Sequence, residues 1–460
     1  MKKILLSTSF IACAVVANAQ RYIGVSTDAY NTINSMYLNP ANLAGCNEKI
    51  SVNMLGVNIG VDNNLGTLTS ISDIGKTTSG DSGISIFKAT GTSGKFSMMA
   101  PGIEVRGPSI IYRINQKHTV VLSTRLRAIN EFNNFDKALY TSLNNPQGVN
   151  TSFISFQAQN FNWTAHVWSE IGLSYGGEVY SNDMISVKVG ATVRYLGGIG
   201  YLGIKGKNMD VTYTSANDSF RANNTDIEYA SNIQTLSEGF SNGISASRLF
   251  GGKEGGSGVG ADLGAIAEYK KDDETEKYTA RLSVSVTDLG AISYKNSSDV
   301  MITGNGYMKG DQIGDSVKSY NDLRAYAARR GFSVDTGRKS QKVTLPTTLV
   351  IGADYHAWNK VFVSALVIAN MAGDANFGSK YYSSISLIPR WQSKIFTASL
   401  PLTYNTLAHN MRVGLGLRVG GLYLGSDDML GIFSNNQYGF NMYFGGMIPI
   451  YRKPKTNKDY

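Results

Sequence analysis

Strict alternation of apolar and polar residues runs through this chain. Residues 184–196, MISVKVGATVRYL, put Ile185, Val187, Val189, Ala191, Val193 and Tyr195 on one face and Ser186, Lys188, Gly190, Thr192 and Arg194 on the other. Residues 411–423 repeat the arrangement, with Met411, Val413, Leu415, Leu417, Val419 and Tyr423 facing one way and Arg412, Gly414, Gly416, Arg418 and Gly420 the other. Segments 118–130, 258–270 and 278–288 agree, as does the terminal YGFNMYFGGMIPIY, where Tyr438, Phe440, Met442, Phe444 and Ile448 share a face. The period is 2, which is the period of a strand.

Two architectures carry such a pattern. Strands of a soluble sandwich cluster near 5–6 residues, whereas membrane barrel strands need about 9–11 and turn apolar side chains outward and polar ones inward. Here the segments run 9 to 13 residues, the polar face bears Gly, Ser and Arg, and Tyr recurs near segment ends as in an interfacial girdle. The prediction is therefore all-β: an antiparallel transmembrane β-barrel of about 14 strands over 50–451, followed by a polar tail, 452–460.

Short turns are expected at Asn115–His118, Tyr180–Asp183, Lys270–Lys277 and Trp358–Lys360, and long polar insertions near 206–256 and 295–343. Within the second insertion, SYNDLRAYAARRGF reads as a short helix capped near Asn321 or Asp322. Counting strands back from a periplasmic C-terminus puts Trp358–Lys360 outside and the 295–343 insertion inside, the reverse of the usual placing of short turns. Either one strand has escaped the count or the barrel carries a periplasmic insertion.

The N-terminus supplies the address. Lys2 and Lys3, the apolar run Ile4–Val16 and Ala17-Asn18-Ala19 form a secretory signal peptide over 1–19, cleaved near Ala19/Gln20. That directs the chain to the cell outer membrane, with outer-membrane lipid as its first partner. Leu43-Ala44-Gly45-Cys46 has the letters of a lipobox, but the preceding NTINSMYLNPAN carries four Asn and a Pro where an apolar run is needed. With Cys13 removed in the signal peptide, Cys46 is the lone thiol, so no internal disulfide forms. Gly is abundant at 50 and charged residues only 17 %, unlike a soluble helical protein. The net charge of +9 is spread along the chain without a nucleic-acid motif, so no nucleic-acid partner is expected.

Candidate chemistry lies on the polar faces. Arg125, Arg127, Lys188, Arg194, Arg281, Arg412 and Arg418 fall on the lumen side, with Glu170, Asp262, Glu268, Asp288 and Asp354 as possible partners. A surplus of lumen Arg could hold an anionic head group; the alternative is a set of interior ion pairs that satisfies the barrel wall. Asn39-Pro40-Ala41-Asn42-Leu43-Ala44-Gly45 suits one helical turn, with Asn39 as N-cap, Pro40 at N1 and Gly45 just past the end. It reads either as a movable plug element or as a fixed strut. GIGYLG, residues 198–203, fits G-x-G-x-x-G but no helical pattern follows it. The four His come with no G-x-S-x-G elbow or H-E-x-x-H motif, so no enzyme, catalytic residue, metal or cofactor is expected.

SMYLNPANLAG, EIGLSYGGEV with ISVKVGATVRYLGGIG, GVGADLGAIAEY, SVTDLGAISY, LPTTLVIGADY and RVGLGLRVGGLYLGSDDML together resemble a Bacteroidota outer-membrane barrel family, domain of unknown function 5723. More distantly the chain is similar to FadL/TodX transporters and to PorV of type 9 secretion. The resemblance implies about 14 strands around a small N-terminal hatch in the lumen, here 20–49, with Asn39, Pro40 and Ala41 matching the hatch motif. Two functions follow as expectations. One is a passive channel for small hydrophobic or amphipathic molecules held in the lumen. The other is an accessory barrel that docks partner proteins at its long insertions.

Overall fold

The computed structural model describes residues 22–68, 87–89, 91, 93–138, 153–214, 219–232, 255–271, 278–295, 297–309, 320–336, 340–373, 377–433 and 438–451. The expected signal peptide over 1–19, the tail 452–460 and parts of both insertions lie outside the described residues.

Fourteen antiparallel strands close on themselves. They are β1 (Glu48–Asn63), β2 (Lys95–Arg106 with Ser109–Arg113), β3 (His118–Asp136), β4 (Phe153–Ser181) and β5 (Ile185–Thr214). Next come β6 (Gly256–Tyr269), β7 (Ala280–Tyr294), β8 (Gln341–Thr344 with Thr348–Trp358), β9 (Val361–Asn370) and β10 (Ser384–Gln392). The last four are β11 (Phe396–Ser399 with Leu402–Asn405), β12 (Asn410–Val413 with Leu415–Val419), β13 (Leu422–Ser426) and β14 (Gly439–Tyr451). Each pairs with its chain neighbour, and β1 pairs with both β2 and β14, so the ring has no open edge.

Period-2 alternation sorts the two faces. Leu122, Val193, Val259, Leu282, Ile351, Leu424 and Ile448 stand exposed on the outer wall, where a soluble protein of this size would not leave so continuous an apolar surface. Tyr112, Tyr180, Tyr269, Trp358 and Trp391 stand exposed near one rim, as an interfacial aromatic girdle does.

Most of the tight connections gather at one end; the four-residue turn 406–409, between Asn405 and its register partner Asn410, lies at the other. Residues 114–117, 182–184, 359–360, 393–395 and 420–421 lie at the rim where Glu48 pairs with Tyr451, and the long connections lie at the opposite rim. This corrects the strand count: the turn at 359–360 shares its end with both barrel termini, and 295–340 is at the other end. The missing strand is hidden in the segment 411–423, which is not one strand but two. Gly420, at φ +58°, and Gly421 make a tight hairpin between β12 and β13. Because alternation restarts after that hairpin, Tyr423 points into the barrel, 2 % exposed, instead of sharing the outer face of Met411.

The two insertions contain much strand of their own. The upper parts of β4 and β5 continue past the barrel and pair onward to Ser219–Ser231, then Ser298–Lys309, then Ser333–Thr336. Helix α3 (Tyr320–Arg329) lies between the second and third of these in the chain, and its Ala327 packs with Phe332, Val211 and Ala222. The result is a five-stranded sheet standing beyond the loop-side rim.

Candidate functional site in the barrel lumen

The chain before β1 folds into the barrel as a buried hatch. Two single-turn helices, α1 (Ile23–Ser26) and α2 (Thr32–Ser35), precede a 3-10 turn at Pro40–Leu43. The Asn39 side chain accepts the Ala41 N–H at 2.9 Å, Pro40 needs no partner for its missing donor, and Gly45 takes φ +70° after the turn. Cys46 is buried among Ile33, Met36, Leu43, Ile111 and Val121, and its thiol donates to Glu48 O at 3.3 Å.

The hatch turn lies on a stripe without side chains. Gly176, Gly190 and Gly264 stand side by side across β4, β5 and β6, because Gly190 is register partner to both others. A Cβ on Gly190 would meet Ala41 N at 2.3 Å, one on Gly264 would overlap Asn39 Oδ1, and one on Gly176 would meet the Leu43 side chain at 2.6 Å. With the backbones this close, Asn39 Nδ2 donates to Ala265 O and Val284 O, both at 3.1 Å, and Ser285 Oγ donates to Leu38 O at 2.5 Å.

Each long strand carries the interior in the same vertical order. Along β5, Lys188 faces a polar cavity at the turn end, Gly190 meets the hatch, Arg194 enters an ion cluster, and Leu196 and Tyr201 reach an apolar cluster. Along β7 the sequence is Arg281, Ser285, Asp288, then Ile292 and Tyr294.

The ion cluster is dense and internally paired. Arg125 reaches Glu170 at 2.7 Å and Asp288 at 3.0 Å, and Arg127 reaches the same two at 3.1 and 3.0 Å. Arg194 pairs with Asp262 and lies 3.3 Å from Glu170. Arg106 joins it, bound to Glu104 at 2.6 Å and to hatch Asn34 at 2.5 Å. The Tyr37 ring of the hatch sits under Arg106 and Arg125 at 4.3 and 4.8 Å, so hatch and cluster form one packed unit. Burial pushes the Tyr37 phenol upward in spite of these cations.

The other lumen cations also face carboxylates. Lys188 meets Glu268 at 2.5 Å, Arg412 meets Asp62 at 2.6 Å, and Arg418 meets hatch Asp28 at 2.5 Å. Arg281 bonds Asn42 and lies 3.7 Å from Glu268, while Asp354 is held by Arg390 at 2.5 Å. The expected residues thus fall in three groups: Arg125, Arg127, Glu170 and Arg194 together at the centre; Lys188, Arg281 and Asp354 around the turn-end cavity of about 80 Å³; Arg412 and Arg418 separately. Sequence reading missed Glu104, Arg106, Asp62, Asp28 and Arg390. For the first two the signal was present, since Glu104 and Arg106 alternate with apolar Ile103 and Val105.

Asp288 owes its place to a bulge. Between the pairs Ala261↔Leu289 and Leu263↔Val286, β7 carries one extra residue, and Asp288 takes φ +58°. Thr287 and Asp288 therefore both point inward. The same irregularity interrupts the ladder on the other side. β7 pairs with β8 up to Thr287↔Thr348 and resumes at Ala291↔Thr344. Across the skip run only Leu345 N–H to Gly290 O at 3.0 Å and Thr347 Oγ1 to Asp288 O at 2.8 Å among the described hydrogen bonds. A cavity of about 140 Å³ occupies the skip, lined by Gly290, Thr344, Leu345, Thr347, Met371, Ala372 and Gly373. Leu345 also belongs to the apolar cluster with Trp168, Tyr201, Tyr294, Phe377 and Tyr381.

No curated protein matches the chain. Among solved structures, it is similar to a Pseudomonas aeruginosa FadL homologue, at 11 % identity and TM-score 0.41, covering 94 % of this chain and 96 % of that one. It is similar also to the Pseudomonas putida toluene transporter TodX, at 11 % identity and TM-score 0.41, over 93 % and 95 % of the two chains. The Ralstonia pickettii toluene transporter TbuX gives 10 % identity and TM-score 0.38 over 91 % and 94 %. The family of unknown function DUF5723 matches residues 40–427, from the hatch turn through β13, and the chain belongs to that family.

Proposed function

We propose that this protein is an outer-membrane channel for small apolar or amphipathic molecules, with the skip between β7 and β8 as its lateral portal. The apolar outer wall and aromatic rim fit a lipid bilayer, which only a closed barrel or helices can cross. The observation that carries the reading is the cavity of about 140 Å³ in the wall, because Leu345 joins it directly to the aromatic cluster inside. A straight axial path would have to cross the ion cluster and the hatch, both buried. A route from the loop-side rim to the aromatic cluster and out through the wall avoids both and keeps an apolar cargo among apolar groups.

Uptake by cells with and without the gene, across a panel of fatty acids and hydrocarbons, tests this. Gly373→Trp fills the portal and is expected to reduce uptake to the level of the deletion strain while leaving the barrel folded. Unchanged uptake on deletion, across the whole panel, would count decisively against a channel.

A second reading is supported by the five-stranded sheet beyond the rim, whose outer strand Ser333–Thr336 has a free edge among the described residues. Such an edge suits strand addition by a partner protein. Purification in gentle detergent that yields the lone barrel would remove this reading.

A further inference from the structure

The wall is incomplete at a second place, far from the β7–β8 skip. β13 stops at Ser426, whose register partner is Leu415. Among the described residues, Asn410–Val413 of β12 above that level pairs only with β11, and Gly439–Met442 of β14 pairs only with β1. One strand's width of wall is therefore missing from the ladder among the described residues. The chain fills it with a different element, the segment Asp427–Gly431 leading into the helical turn α4 (Leu430–Phe433).

The filling is held by few bonds. Met429 N–H donates to Val413 O at 2.8 Å, and on the β14 side the Asn441 side chain accepts Asp427 N–H at 2.6 Å and Asp428 N–H at 3.1 Å. A Cβ on Gly431 would meet Phe440 Cβ at 2.8 Å, so the turn is pressed against β14. This explains why Phe440, expected on the outer face with Met442 and Phe444, is buried while those two are exposed.

The same segment reaches inward. The Asp427 carboxylate accepts the N–H groups of Ile23 and Gly24, each at 3.0 Å, and so caps the first turn of the hatch. Its neighbour Asp428 lies 3.4 Å from Arg412, behind the gap. Outside, the gap is framed by exposed Met411, Met442 and Leu430. The inner lip is thus polar and the outer lip apolar.

We infer that Asp427–Gly431 is a strap that joins the hatch to the wall, so that release of α1 from Asp427 and opening of the gap between β12 and β14 are one event. Use of that gap as an exit for amphipathic cargo, head group toward Arg412 and chain toward lipid, rests on the channel reading. The coupling does not. A ladder strand would be fixed by bonds on both sides along its length, whereas the strap trades them for a carboxylate contact to the very element that blocks the lumen.

The test uses the full barrel in detergent. Nitroxides at Met411→Cys and Leu430→Cys, both outward-facing, are placed in a Cys46→Ser background and their dipolar broadening is read. In parallel, maleimide labelling of the native Cys46 reports hatch release. In Asp427→Ala, the broadening is expected to weaken and Cys46 labelling to rise about tenfold or more, as follows from losing two charge-assisted hydrogen bonds. If only one readout changes, or neither does, the coupling is wrong. Should Asp427→Ala fail to assemble, as heat-modifiable migration would reveal, Asp427→Asn keeps one acceptor and is expected to shift both readouts in the same direction by less; a shift in one alone overturns the proposal. Cargo uptake enters neither readout, so failure of the channel reading and failure of the strap are distinguishable.

Discussion

Gly190→Ala should dislodge the hatch. Its Cβ would lie 2.3 Å from Ala41 N and from Pro40 C, and 2.5 Å from Pro40 O. These are backbone atoms, so no rotamer change relieves the overlap, and the hatch turn must retreat by about 1 Å or more to reach ordinary contact. Retreat stretches three hydrogen bonds: Asn39 Nδ2 to Ala265 O and Val284 O, and Ser285 Oγ to Leu38 O. At about 1 kcal/mol each, plus overpacking strain of about 1–3 kcal/mol, hatch docking weakens by about 4–6 kcal/mol. The half to one kcal/mol that Ala normally gains over Gly within a strand is too small to offset this. The assay is maleimide labelling of Cys46, only 3 % exposed in the docked hatch, on barrels whose heat-modifiable migration shows them folded. Gly373→Ala, where a Cβ meets nothing within 4 Å, is the control. Gly190→Ala barrels that fold with Cys46 as protected as in the parent would refute the glycine cradle.

Arg127→Met should destabilise the barrel by about 3–5 kcal/mol in urea titrations, because Glu170 and Asp288 keep their charges at the centre with one cation fewer; a loss under about 1 kcal/mol would mean that Arg125 and Arg194 suffice.

What the sequence disclosed and what it concealed have one physical origin. Period-2 alternation is a local property, so the faces of β3, β5, β6 and β7 and the inward Arg125, Arg127, Arg194 and Asp262 could be read directly from it. Alternation stops carrying information wherever parity resets. The Gly420–Gly421 hairpin resets it between two strands of like composition, which fused β12 and β13 into one and inverted the apparent sides of the loops. The bulge at Asp288 resets it within β7, and the strap covers Phe440 although the residue's parity points outward. Pairing across the lumen has no local signature at all: Asp427 finds Ile23 from 404 residues away, and Arg418 finds Asp28 from 390. Those contacts depend on the ring closing, since only closure brings β12–β14 against the chain's own N-terminus. They are also why Asn39-Pro40-Ala41 cannot be judged as a plug from its own residues. Whether that turn moves is decided by Gly176, Gly190 and Gly264, three positions whose only distinguishing property is the absence of a side chain.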